Sequence, residues 1–479
     1  MGRGYSVNRT STQRPSNKDK RPRSVSLNKL RTRLGTIAAQ AQSREEMAQQ
    51  IAALDSDEEL MASEDEAETV KRPDVLTKYK MCGVITDEVI ATVVKACRPQ
   101  ARTIDLCALG DNLVLERVKK MFQKSKSDDG KRMLKGLSFP TTVSVNNVLA
   151  NASPLNEAES TTLAVGDVVK VAVSVHLDGY ATSSAATIVV GLDAGEVQTM
   201  APEVAHVIAA THYAIHGMIR LMKPGVENQD ITDFIRHVAT CFNVEPVEGV
   251  LSNRTKRWIL DGNECIICRR VLTEDPQQNV GDCVVEENQV WTLDVAFTTS
   301  PNYRLKQPPL ETNIFRRNEV TVEPRLQAAK DAIVEIRETA MCFPFTPSRF
   351  ANPLRTRLGI TELKKHDMLD SFPVLSTVKG AFTARHSCTV AVTEKRVNIV
   401  SGAPAAQLPD LVASSAQMLP SPDVLELMSE ELYIGDAKPK VKKGAKATAA
   451  APESADAEDD ADARAALPTR SRKVHRSGV

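Results

Sequence analysis

Apolar residues recur at helical spacing in two stretches near the front of the chain, residues 86–95 and 105–123, which predicts two amphipathic helices. Residues 168–175 (VVKVAVSV) and 186–191 read instead as strands, joined by a turn at His176-Leu177-Asp178-Gly179. Pro202 opens a long helix that stops at Lys223-Pro224-Gly225, and Asp230 is expected to cap the next, which runs to about Phe242. A strand at 290–297, a helix from Pro324 to about Met341, helical and turn segments over 347–369, and a strand pair at 380–392 and 396–401 complete the series. Strands distributed among helices in this way give an α/β or α+β class.

Those elements occupy about 360 of the 479 residues, from Lys71 to Tyr433. Apolar residues make up 42% of the chain and aromatics 4%, enough for a large core of aliphatic side chains and for one or two folded domains with tails. Lys and Arg number 61, as do Asp and Glu, so any attraction to nucleic acid or membrane has to be local. No stretch approaches the roughly 18–20 uncharged apolar residues of a membrane helix, and residues 1–14 carry no apolar region like that of a signal peptide. Neither a membrane nor the usual secretory route is expected. Nine cysteines, an odd number with only Cys265 and Cys268 in a CxxC, imply a reducing compartment. The Asn-x-Ser/Thr matches at Asn8, Asn151 and Asn253 are accordingly read as chance.

Charge is balanced overall but segregated along the chain. Residues 1–44 hold eleven Lys/Arg against Asp19, and residues 45–69 hold ten Asp/Glu and no base. Blocks of this kind rarely fold alone, so residues 1–70 are expected to be a disordered extension, basic then acidic. The basic block contains KDKRPRSVS (18–26), suited to nuclear import or RNA contact; Pro15 and Pro22 spoil the amphipathic helix that a mitochondrial transit peptide needs. Residues 434–479 repeat the design as a partly basic tail, also expected to be disordered. Ser56 and Ser63 precede acidic runs that resemble sites of acid-directed kinases, while Ser24 and Ser26 lie among Arg21, Arg23 and Lys29. Phosphate at any of them is expected to weaken attraction to RNA, the acidic block by folding back on basic patches.

The segments VLTKYKMCGVITDEVI (75–90), FPTTVSVNN (139–147), GDVVKVAVSVHLDGY (166–180), VWTLDVAF (290–297), FPFTPSRF (343–350) and LKKHDMLDSFPVL (363–375) together resemble type II methionine aminopeptidases. They are more similar still to the proliferation-associated, ErbB-receptor-binding relatives that lack peptidase activity. The likeness runs in order from Lys71 to about Ser401. It implies the pita-bread fold, with two αβ halves related by pseudo-symmetry around an antiparallel sheet. It also implies a helical insert at about 311–372 within a domain spanning 71–433.

The active enzymes hold two divalent ions with carboxylates and one imidazole, because the pair has to lower the pKa of a bridging water and grip the peptide carbonyl. Carried over position by position, the resemblance puts the first aspartate at Ala172, the second at Ser183, the histidine at Val250, the first glutamate at Asp294 and the last at Ser387. A further family histidine, which contacts substrate, falls at Asn151. One carboxylate among five positions cannot hold a metal pair, so no cofactor and no peptidase activity are expected. His386 would point away from Ser387 on an ordinary strand, and His176 is likewise offset from the matched positions. His212 and His216, four apart on a helix, are read as a solvated face, and Cys265 and Cys268 lack the second pair that zinc requires.

What remains is local basic charge. Lys119, Lys120, Lys124, Lys126, Lys131, Arg132 and Lys135 crowd one helix end and loop; Arg254, Lys256 and Arg257 flank Trp258, with Arg269 and Arg270 nearby. The insert adds Arg316, Arg317, Arg349, Arg355, Arg357, Lys364 and Lys365. Phosphate backbones bind such patches without base contacts, and no zinc-finger spacing, RNP-like aromatic motif or Gly-rich phosphate loop indicates sequence reading. The non-peptidase relatives bind structured RNA and dock on the large ribosomal subunit, so the resemblance implies a monomeric, inactive protein of cytoplasm and nucleus or nucleolus. Its expected partners are ribosomes or structured RNA, together with other proteins through the tails, and its expected role is in translation or ribosome biogenesis. An aminopeptidase with rebuilt ligands and a peptide-binding scaffold are the alternatives.

Overall fold

Pro73 starts the first helix because its fixed φ suits the first helical turn, where its missing N–H would have no partner. In the computed structural model, which describes residues 69–122, 133–270, 280–320 and 322–432, that helix is α1, Pro73–Ala96. All the described residues belong to the first of the chain's two units, Met1–Asp436. The basic and acidic blocks ahead of Thr69, the serines within them, and the tail from Tyr433 lie outside the described residues, as do Lys124, Lys126, Lys131 and Arg132.

Helix α1 buries Val75, Tyr79, Cys82, Thr86, Val89 and Val93, positions three and four apart that make one stripe. α2, Thr103–Lys120, and the long strand β1, Lys135–Val145, follow, and then β2, Val148–Ala150. β3, Val168–Leu177, and β4, Tyr180–Val189, form a hairpin whose turn is only Asp178-Gly179, both at positive φ (58° and 85°), as the twist of a two-residue hairpin requires. The expected four-residue turn is therefore too long, and β4 begins six residues earlier than its apolar run suggests. Residues 182–187 (TSSAAT) carry no hydrophobic alternation, because small hydroxyl side chains there bond across the sheet.

The second half repeats the plan. α3, Pro202–Leu221, and α4, Asn228–Cys241, precede β5, Glu245–Pro246, β6, Leu251–Thr255, β7, Cys265–Ile267, and β8, Val290–Thr298. Glu227, not Asp230, occupies the N-cap of α4; Asp230 lies in its first turn. A small two-stranded sheet joins β9, Ile314–Arg317, to β10, Leu369–Phe372, with α5, Gln327–Thr339, and α6, Pro353–Lys365, between them. These helices and strands bury their own cluster of Phe315, Ile336, Phe345, Phe350, Ile360 and Leu363. The chain returns through β11, Leu375–Ser376, β12, Thr383–Val392, and β13, Val397–Ser401, and ends its described part in α7, Asp410–Ala416, and α8, Pro422–Ser429.

The main sheet is antiparallel in the order β1-β3-β4-β12-β8-β6-β7, with β13 beside β12 and β5 beside β8. α1 and α2 cover one end of it and α3 and α4 the other, each over a separate apolar cluster. Each fully buried Val, Ile or Leu in these clusters stabilises the fold by about 1.5–3 kcal/mol before entropy is counted. Between the halves, β4 and β12 share a single backbone pair, Ser387 with Ala185. Hydroxyls close the rest of that seam. Ser183 donates its backbone N–H to Thr389 Oγ1 at 2.9 Å, Arg385 donates its own to Thr187 Oγ1 at 2.8 Å, and Thr187 Oγ1 donates to Arg385 O at 2.7 Å.

Candidate functional site

The registers of β3, β4, β12 and β8 align one residue from each strand in a row. Ala172 faces Ala185, Ala185 faces Ser387, and Ser387 faces Asp294. Directly opposed residues share a face of the sheet, and Ser183, two along from Ala185, shares it too. Val250 sits just ahead of β6, buried, its carbonyl accepting the Cys268 N–H at 3.0 Å. Asn151, at positive φ, donates its side-chain amide to Pro373 O at 3.0 Å and so ties β2 to the chain returning from β10.

The side chains in this row have little ligand chemistry. Ser183 Oγ and Ser174 Oγ are 2.6 Å apart and satisfy each other. Asp294 is the one acid in the row, and Arg385 grips it, with Nε 2.9 Å from Oδ1 and 3.1 Å from Oδ2 and a third, shorter bond from Nη2 to Oδ2. Burial works against the guanidinium charge, but the field and hydrogen bonds of Asp294 outweigh it and raise the Arg385 pKa above its ordinary value. Sequence reasoning missed Arg385 although the signal was available, since a period of two puts residue 385 on the same face as residue 387. One carboxylate already held by a fixed cation does not match the donor set of a metal pair. Among the described residues no group of three or more His, Cys, Asp or Glu side chains is placed to hold a metal ion.

The histidines lie elsewhere. His176 is buried against Phe343 and Trp258, with ring centroids at 4.5 and 5.7 Å, and burial pushes its pKa down to about 3 against the opposing pull of Asp178. His212 and His216 do not form a solvated face. His212 lines a cavity of about 740 Å³ together with His386, and His216 Nε2 lies 2.9 Å from Ala405 O, because the 403–412 segment crosses over α3. His386 Nε2 bonds to Gly402 O at 2.9 Å.

The basic residues divide into committed and exposed groups. Arg257 bonds the buried Asp178 at 3.0 Å, where Lys78 also binds at 2.7 Å, so this arginine ties the chain after β6 to the hairpin turn. Arg254 pairs with Glu264, and Arg316 bridges Asp261 at 2.6 Å and Asp370 at 3.1 Å. Arg355 pairs with Asp331 at 2.6 Å, and Arg349 bonds Asn112 at 2.9 Å. Lys119 and Lys120 are exposed at the end of α2, with Glu116 3.8 Å from Lys120. Lys256 lies part-buried in the turn after β6, and Arg317 part-buried at the end of β9. Arg357, Lys364 and Lys365 are exposed on α6, beside Leu354 (77% exposed) and Leu358 (63%). A helix face carrying both apolar and cationic side chains suits a surface that is anionic and partly apolar.

Comparison with known proteins agrees with this geometry. The model of metallopeptidase family M24 matches residues 77–305. The curved DNA-binding protein of Schizosaccharomyces pombe is 32% identical over 382 residues, covering 79% of this chain and 96% of that one. ErbB-3 binding protein 1 of Arabidopsis thaliana is 32% identical over 335 residues, 69% of this chain and 82% of that protein. The solved structure of a thermophilic Arx1 superposes with a TM-score of 0.65 at 24% identity, covering 75% of this chain and 99% of that one, which establishes the shared pita-bread fold. With about a third of positions identical along almost the whole of a relative and the row of strand positions in place, the chain belongs to metallopeptidase family M24, with ErbB-3 binding protein 1 among its relatives.

Proposed function

We propose that this chain is an M24 protein without peptidase activity that associates with ribosomes or structured RNA and acts in translation or ribosome biogenesis, in the cytoplasm and nucleus. The Asp294–Arg385 pair carries the first part of this reading. A guanidinium fills the electrostatic role that divalent ions play in the active enzymes, and it can neither lower the pKa of a bridging water nor polarise a carbonyl as a Lewis acid. The exposed cations of α6 support the second part, as does the name of the S. pombe relative, which records nucleic-acid binding for that protein.

Co-sedimentation of the full chain with ribosomes tests the binding. Affinity is expected to fall by orders of magnitude between roughly 50 and 200 mM salt. Charge reversal at Arg357, Lys364 and Lys365 is expected to release the protein, and Arg355 is left out because its reversal would also break the bond to Asp331. Binding that is unchanged in high salt and after the reversals would overturn the reading.

A further inference from the structure

A cleft of about 920 Å³ opens where β9 and β10 and the last turn of α5 face the turn after β6. We propose that it is a binding site for a nucleoside phosphate, with the base on Trp258 and the phosphate on Arg317 and Arg337. The proposal goes beyond ribosome association and does not depend on it.

Three observations point to such a ligand. Arg317 lines the cleft, and its enclosed Nε has no hydrogen-bond partner among the described residues. Arg337, exposed at the end of α5, also lines the cleft and has no ion pair there among the described residues. The acids Asp261 and Asp370 are both held by Arg316, so they do not neutralise these two arginines, and Glu319 at the end of the cleft has bonding of its own. Two free guanidinium groups make a charge-assisted, planar fork for a phosphate.

Trp258 supplies the aromatic part. It stands at φ 63°, a conformation that a bulky residue adopts at a cost of about 1–3 kcal/mol and keeps only when its surroundings enforce it. The enforcement is visible: its N–H donates to Gly179 O at 2.9 Å, and a Cβ on Gly179 would lie 2.5 Å from the indole. The hairpin turn of one half-sheet thus fixes an indole at a cleft wall shared with the cationic strand β9. An aromatic platform beside a pair of arginines is the pairing that recognises a base and its phosphate, and the volume suits a mononucleotide. The same chemistry could come from a free nucleotide or from the phosphorylated end of an RNA strand.

The chain's two tryptophans make the test direct. Trp291 is fully buried in the core, while Trp258 lines the cleft. The full chain is titrated with AMP, GMP, UMP, inorganic phosphate and a 5′-phosphorylated RNA trinucleotide while tryptophan emission is followed. Saturable quenching by a mononucleotide is expected, with the dissociation constant raised about tenfold or more in Arg317→Gln and in the exposed, fold-neutral Arg337→Gln. Trp258→Phe should remove the signal, with calorimetry then reporting weaker binding. A trinucleotide that binds much more tightly than any mononucleotide identifies an RNA end as the source, and equal affinity identifies a free nucleotide. No saturable quenching, unchanged affinity in both Gln variants, or inorganic phosphate binding as tightly as nucleotide would overturn the proposal.

Discussion

Replacing Arg385 by alanine leaves Asp294 as an unpaired carboxylate on a face where its side chain is 10% exposed. Removing one partner of a buried pair costs about 3–5 kcal/mol, most of it from the stranded charge. The lower end applies here, about 3 kcal/mol, because the Arg385 side chain is 20% exposed and some water reaches the site. Asp294→Ala should cost a similar amount by stranding the guanidinium, whereas the double variant Asp294→Ala/Arg385→Ala strands neither charge and should cost clearly less than the sum. A double-mutant cycle read by urea denaturation then gives a coupling of about 1.5–3 kcal/mol. The same proteins are to be melted with Co²⁺, Mn²⁺ and Zn²⁺ present; an ion at 100 times its dissociation constant would add about 2.7 kcal/mol, and no such stabilisation is expected in the intact chain. Additive single costs would refute the argument that Arg385 neutralises Asp294. Metal-dependent stabilisation together with cleavage of a Met-peptide would refute the wider reading.

Acid should loosen the packing of α3 against the 403–412 segment. Burial first, then His216 and His386, holds the His212 pKa down at about 4 from 6.5, so its contribution is complete above pH 6.5 and is lost as pH falls towards 4, by roughly 3 kcal/mol. Melting curves at pH 7.5, 5.5 and 4.5 check this, and His212→Gln should flatten the dependence; equal acid sensitivity in that variant would exclude His212 as its source. Gly83→Ala should destabilise by about 1–3 kcal/mol or more, because the added Cβ would sit 1.9 Å from Val400 O, although alanine is by about 1 kcal/mol the better helix former. Denaturant midpoints measure it, and an unchanged or raised midpoint would show that α1 can move away from β13.

The elements most legible in the sequence were those with one apolar stripe or a clear stop. Pro202 and Lys223-Pro224-Gly225 bracket α3, and the β-branched run from Val168 marks β3. β4 was half hidden because its work is done by hydroxyls that hydrophobic periodicity does not register: Thr182 bonds Thr86 on α1, Ser183 bonds Ser174 on β3, and Thr187 bonds Arg385 across the seam to β12. β9 and β10 went unread because four-residue strands are too short to show a period, and they pair across more than fifty residues. The five positions matched to the family's ligands came from the resemblance, and the register places four of them on one face of the sheet. The period of two was enough to put Arg385 on that face, but its partner was not legible, since the pairing with Asp294 emerges only once β12 is known to lie beside β8. Patch reasoning had a similar limit: charge alone cannot separate Arg257, fixed on Asp178, from Arg357, exposed on α6.

The seam between β4 and β12 also bears on how the chain reaches this structure. Its bonds join residues 198 and 206 positions apart, Thr187 with Arg385 and Ser183 with Thr389, while the β3–β4 hairpin closes over two residues. Loop-closure entropy therefore favours each half-sheet collapsing onto its own helices first, with the two joined late. Because β4 and β12 share one backbone pair, the two strands meet along a line with few backbone bonds to form, and a half-folded chain exposes β4 as an unpaired edge.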